Sequence, residues 1–167
     1  MDFPTFFKGH VIESKHRISK YGETLKGCLT CCGQSEFAIR YIGKKSNGDD
    51  FLCQEGYMHA TAVCKVCGNE ISVFDSARHG YLNASGDTEL LAFSSQEAMG
   101  QESWQVYSCN KCCYEYFKVG IDLGYPDAEE LESLGITEKD NAFTTIGVYL
   151  QCTSCGRKHE FLDLELD

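Results

Sequence analysis

The stretch CLTCCG, residues 28–33, sets three cysteines in five positions and returns almost unchanged as CNKCCY at 109–114. Two plainer pairs complete the series, CKVCG at 64–68 and CTSCG at 152–156, and of eleven cysteines only Cys53 stands apart. Two sulfurs separated by two residues converge on one ion when the backbone between them curls into a knuckle. A glycine just behind supplies the positive φ that such a turn needs. Gly68 and Gly156 follow their pairs directly, and Gly33 follows one residue late. Four pairs make two full tetrahedral sets, the pattern of two structural zinc ions.

The composition agrees with a metal-held fold. The chain has 167 residues, 43% of them hydrophobic, enough for some core, but two halves of that length would each be marginal on burial alone. No run approaches the roughly 18 apolar residues of a membrane helix. The opening MDFPTFFKGHVIESKHR has no charged region leading into an apolar core. A cytoplasmic, reducing compartment is therefore expected, where an odd number of cysteines in CxxC spacing reads as metal binding rather than as disulfides.

The intervals between pairs suggest which share an ion. Cys31 and Cys64 are separated by 32 residues, Cys67 and Cys109 by 41, and Cys112 and Cys152 by 39. Each outer interval joins a CxxCC to a CxxCG through similar strand-like runs. EFAIRYIG, HATAVC and NEISVF in the first half answer to YEYFKVGI, TIGVYLQC and KHEFLDLEL in the second. The chain thus reads as mainly β with short helices, duplicated as knuckle, strand, strand, knuckle, strand. One module is expected over 1–85 and a second over 86–167, with Cys32 and Cys113 equivalent. Sharing of an ion by alternate pairs, a cross-brace, stays open.

The repeated unit resembles the zinc ribbon family, in which two CxxC knuckles on β-hairpins clamp one ion. The resemblance covers about residues 25–78 and 106–167. It implies Cys28, Cys31, Cys64 and Cys67 as ligands of one zinc ion and Cys109, Cys112, Cys152 and Cys155 as ligands of the other. It departs from the family in its long inter-knuckle segments and in the CxxCC form of the first knuckle. Paired CxxCG knuckles also occur in the iron protein rubredoxin, but the proline-rich aromatic core that accompanies them there is missing from a chain with two prolines. Ribbons serve many functions, so the resemblance speaks to metal more than to role.

Between the knuckles the patterning changes. FSSQEAMG carries a capping box at Ser94 and Glu97 and predicts a short helix ended by Gly100. YPDAEELESLGI predicts a helix capped by Asp127 and ended by Gly135, with Leu131 and Leu134 docking on the sheet. The first copy has KKSNGDD in that place, whose Asn47–Gly48 signals a hairpin turn.

Charge is unevenly shared. Residues 1–85 hold ten Lys/Arg and nine Asp/Glu, a balance near +1, and residues 86–167 hold five and sixteen, near −11, which together give the net −10. Eight thiolates on two Zn²⁺ would add about four negative charges. The acidic half is a poor nucleic-acid ligand. The first 45 residues are locally basic, with eight Lys/Arg against four acids, and can meet a phosphate backbone or an acidic protein.

Two constellations remain. In VFDSARHGYLN, Asp75 and Arg78 are expected to brace a turn ending at Gly80, since adjacency of Ser76, His79 and Asp75 does not make a triad. His59 and His159 lie near the knuckles, where hydrogen bonding is expected rather than ligation. Closed four-cysteine sets, and a sequence without HExxH or a phosphate-cradling glycine loop, point away from an enzyme. The expected function is a binding or adaptor module whose partner is another protein. A redox-responsive zinc-thiolate protein and a nucleic-acid-binding ribbon are the alternatives. Cys32 and Cys113 are expected to start strands, face away from the metal and fill the core as small apolar side chains.

Overall fold

The structure is a computed structural model that describes residues 3–42, 58–81, 84 and 104–166, apart from residues 8 and 138. The expected turn at Asn47–Gly48, the expected helix at Ser94–Gly100, Cys53 and the 85/86 module boundary lie outside the described residues.

The chain is mainly β, as the alternation of β-branched and aromatic residues indicates. Its strands are β1 (Val11–Ser19), β2 (Gly22–Leu29), β3 (Phe37–Ile42), β4 (His59–Cys64), β5 (Glu70–Asp75), β6 (Gln105–Val106), β7 (Tyr116–Tyr125), β8 (Thr145–Cys152) and β9 (Lys158–Glu165). One helix, α1 (Ala128–Ser133), follows β7. The expected order of strand, strand, knuckle, strand appears twice, as β3–β4–β5 and as β7–β8–β9. The likeness extends to detail: each copy has a register shift in its second hairpin, at Ala60/Thr61 and at Val148/Tyr149. In each, Cys64 or Cys152 opposes a phenylalanine, Phe37 or Phe117.

The two copies are joined edge to edge. β3 and β7 run antiparallel and meet at the equivalent residues Phe37 and Phe117, which places a local twofold between them. β7 then uses the rest of that edge for β2, from Gly120 to Tyr125, and its other edge for β8. β3 does the same with β6, through Tyr41 and Arg40. β2 and β6 are therefore counterparts: each precedes a cysteine turn and lies along the other copy's first strand. All the described strands belong to one sheet. One core takes in Leu25, Phe37 and Phe74 from the first half and Phe117, Ile146 and Phe161 from the second.

Local sequence signals set the connections. Gly22 closes the β1–β2 hairpin at φ 127, where an added Cβ would lie 2.1 Å from the Tyr125 carbonyl oxygen, so only glycine fits. Asp127 caps α1 by accepting the Glu130 N–H at 2.9 Å. Gly135, at φ 68, ends it with Gly135 N–H to Glu132 and Ile136 N–H to Leu131, a Schellman pattern. Leu131 is buried, but in a small cluster apart from the main core of the sheet, and Leu134, expected to dock beside it, is 54% exposed at the end of the helix. Ile136, arriving from beyond the glycine, packs with Leu131 and Ala142 instead.

Phe37 and Phe117 are both fully buried and directly paired. Phe37→Ala should cost about 3–5 kcal/mol in urea unfolding monitored by circular dichroism. Phe117→Ala should cost as much, and the double variant should deviate from additivity by more than about 0.5 kcal/mol because the two residues share one contact.

Candidate metal centres

Two groups of four cysteines converge. Cys31, Cys32, Cys64 and Cys67 form one, and Cys109, Cys112, Cys152 and Cys155 the other, with all sulfurs in each group within 4.8 Å of one another. The pairs that combine are sequential rather than cross-braced. Cys64, Phe37, Phe117 and Cys152 stand opposite one another along a row crossing β4, β3, β7 and β8. The two centres thus flank the local twofold, three strand spacings or roughly 14 Å apart in the row.

The second and fourth turns are built alike. The Gly68 N–H donates to Cys64 O at 2.9 Å, and the Gly156 N–H to Cys152 O at 2.9 Å. Both glycines have positive φ, 71 and 74. The third turn has the same form without a glycine. The Cys113 N–H donates to Cys109 O at 2.8 Å, and Cys113 itself takes the left-handed position at φ 61. A non-glycine residue there costs on the order of 1 kcal/mol.

The first turn differs, and it changes which cysteines come together. Cys31 and Gln34 exchange backbone hydrogen bonds at 2.9 and 3.0 Å, enclosing Cys32 and Gly33 at φ 54 and 69. Two successive left-handed residues make a tight two-residue hairpin turn. It presents the adjacent cysteines Cys31 and Cys32 to Cys64 and Cys67. Cys28, expected as a ligand, lies instead on β2, exposed and outside the group. The ladder explains the correction. Cys28 pairs with Gly120 and Val106 with Arg40, each three residues beyond the central phenylalanine, so Cys28 is the counterpart of Val106 and not of Cys109. Counted from Phe37 and Phe117, Cys32 answers to Cys112, and Gly33 to Cys113. The expectation that Cys32 and Cys113 are buried fillers also fails. Both are exposed, since both sit in turns before the strands begin.

The sulfur spacing suits a tetrahedral ion. Zinc–sulfur bonds of about 2.3 Å put neighbouring sulfurs about 3.8 Å apart. Cys31 lies 3.8 Å from Cys32 and 3.6 Å from Cys67, and the Cys109–Cys155 and Cys112–Cys152 distances are each 3.6 Å.

Electrostatics of the groups favours a cation too. The backbone N–H of Cys67 brings the Cys64 thiol down to about 6 against the effect of burial, helped by the Val66 N–H and by Gln34. The Gln34 amide donates to the Cys64 sulfur at 3.0 Å. In the second group burial is overcome by the N–H groups of Lys111 and Cys112 and by His159, which take Cys109 to about 5. The neighbouring sulfurs move the other way. Cys67 and Cys31 push Cys32 up to about 12. At Cys112 the Tyr114 N–H favours the thiolate but is outweighed by burial and by the sulfurs around it, giving about 12. Against burial, the backbone N–H groups of Cys155 and Ser154 lower Cys152 as well. Each group thus sets a thiol drawn toward the thiolate beside one pushed away from it, and a dication would relieve the latter.

The remaining candidates fall outside these centres. His159 is buried next to Cys109 and its Nδ1 is 3.2 Å from the Tyr107 hydroxyl, a hydrogen-bonding role as expected. His59 Nε2 is 3.2 Å from Ser72 Oγ, in neither cysteine group. Asp75 and Arg78 do brace a turn: the Arg78 and His79 N–H groups donate to Asp75 O, and Gly80 follows at φ 96. His79 stacks on Phe6 at 3.8 Å, and burial lowers its pKa to about 4. No helix among the described residues is long and apolar enough to cross a membrane.

No protein-family model matches the chain, and no curated protein or solved structure is significantly similar to it.

The two readings of the first centre separate cleanly by mutation. Cys28→Ser should leave two metal ions per chain by elemental analysis, whereas Cys32→Ser should reduce the count to one.

Proposed function

We propose that the chain is a non-enzymatic binding module whose single sheet is held by two structural zinc ions. The observation that carries this reading is the closure of both centres. Four sulfurs at tetrahedral-edge distances leave no position for water or substrate, the arrangement of structural rather than catalytic zinc. Cys31, Cys32, Cys64 and Cys67 would hold one ion and Cys109, Cys112, Cys152 and Cys155 the other. Soft thiolates favour zinc over the oxygen-seeking cations. Each ion would tie a turn that leads into one strand to a turn between two others, so metal and sheet would form together. The product is a display surface, and its partner is another protein.

Zinc content of two per chain, with sulfur shells at about 2.3 Å by X-ray absorption, tests the metal. Iron in place of zinc, or one ion, overturns it. A strong chelator should abolish the strand signal in circular dichroism, because structural zinc contributes on the order of 10–16 kcal/mol in small peptides. Unchanged strand content after metal removal overturns the structural role.

A redox-responsive reading also has an observation behind it. Cys113 is exposed and adjoins Cys112, a member of the second group. On that reading peroxide should release zinc several-fold faster from the native chain than from Cys113→Ala. Equal rates leave the structural reading standing alone.

A further inference from the structure

β1 and the turn after it carry three of the chain's most exposed large apolar side chains. Ile12 is 64% exposed, Ile18 74% and Tyr21 81%. Among the described residues the strand is paired on one side only, with β2, and nearly every residue in it is open to solvent. An edge strand offers its outward N–H and C=O groups to any extended chain. Proteins blunt such edges with charge, proline, bulges or a covering element, and β1 has charge and a register shift at Glu13/Lys15, yet it also exposes isoleucines.

The side chains are sorted by face. Lys15 pairs with Lys26 and Arg17 with Thr24, on the face turned away from the core. His16 opposes the buried Leu25, and Ile18 opposes Glu23, which places both along the rim of the core face. Lys26 is bound to Asp122 and His16 to Glu23, while Lys15 and Arg17 make no ion pair among the described residues. Glu13 is the one acid within β1. Beyond the bulge at Glu13/Lys15 an added strand would meet these two cations on one face and Ile18 on the other, while Ile12, opposite Cys28, lies on the cation face.

The geometry points to β1 as a docking edge for an extended segment of a partner protein in which acidic residues alternate with apolar ones. Charge complementarity selects the occupant: the acids lie over Lys15 and Arg17, the apolar residues continue the row of Ile18, and the backbone lengthens the sheet. This assignment names the partner chemistry of the binding module proposed above and rests on that reading for the folded sheet.

The test uses the full, metal-loaded chain and a labelled ten-residue peptide alternating aspartate with valine. Binding should be saturable by fluorescence anisotropy and weaken steeply with salt. Amide exchange should slow in β1 and not in β5. Lys15→Glu with Arg17→Glu should weaken binding at least tenfold while zinc content and circular dichroism stay unchanged. Equal binding of a lysine–valine peptide overturns the assignment, as does tighter binding of a ten-nucleotide oligothymidylate, which would make the basic strand a nucleic-acid contact. Self-association through β1, seen by sedimentation without peptide and abolished by the charge reversal, overturns it in favour of a second copy. If metal-free protein stays folded and binds the peptide, the zinc reading fails and the docking edge stands. If metal-loaded protein binds no peptide, the docking edge fails alone.

Discussion

Four sulfurs in each group have to meet at a point where a strand is broken. β2 ends at Leu29 and β3 starts at Phe37, and both lie along the same edge of β7. The turn holding Cys31 and Cys32 occupies that gap. β6 and β7 are broken in the same way along β3, with Cys109 and Cys112 in the interruption. A broken strand loses ladder hydrogen bonds, and uncompensated thiolates crowded into the gap repel one another. Convergence on a cation would turn both weaknesses into a fastening. β4 and β8, paired with β3 and β7, bring the second pair of sulfurs to each gap.

Because each interrupted strand lies along the other copy, the halves are not two beads on a string. The Phe37–Phe117 pair, the β2–β7 ladder and the β3–β6 ladder all cross between them. The aromatic core does the same, with Tyr41 and Phe161 packed edge to face at 5.7 Å. Among the described residues the main core draws on both halves. Both cysteine groups lie in this one sheet, so an ion held at either would act on strands from both halves.

The copies have diverged where the local chemistry permits it. The first centre is closed by a two-residue hairpin turn with Gly33 and supported by the Gln34 amide. The second has a longer knuckle, Cys113 in the glycine's place, and His159 beside Cys109. Both solutions supply donors to a sulfur and a left-handed residue to the turn. Helix α1 belongs to the second copy, its Leu131 sealed by Ile136 rather than by the neighbouring Leu134.

Much of this was legible in the residues themselves. Alternating Val, Ile, Tyr and Phe between turn-formers marked β3–β5 and β7–β9, because a half-buried pleat imposes period two on its side chains, but it did not mark β1, β2 or β6. CxxC with glycine behind it marked three of the four turns, and Asp127 and Gly135 marked the ends of α1, because caps and left-handed turns act over a few residues. The identity of one ligand was not legible. CLTCC contains both a Cys28/Cys31 pair and a Cys31/Cys32 pair, and local spacing favours the first. The choice is made by register against a strand about ninety residues away: Gly120 takes Cys28 into the ladder and leaves Cys32 at the turn. The same long-range pairing joined the two copies into one sheet. A knuckle is a local solution to a turn, but which cysteine reaches the knuckle depends on hydrogen bonds that only the folded sheet supplies.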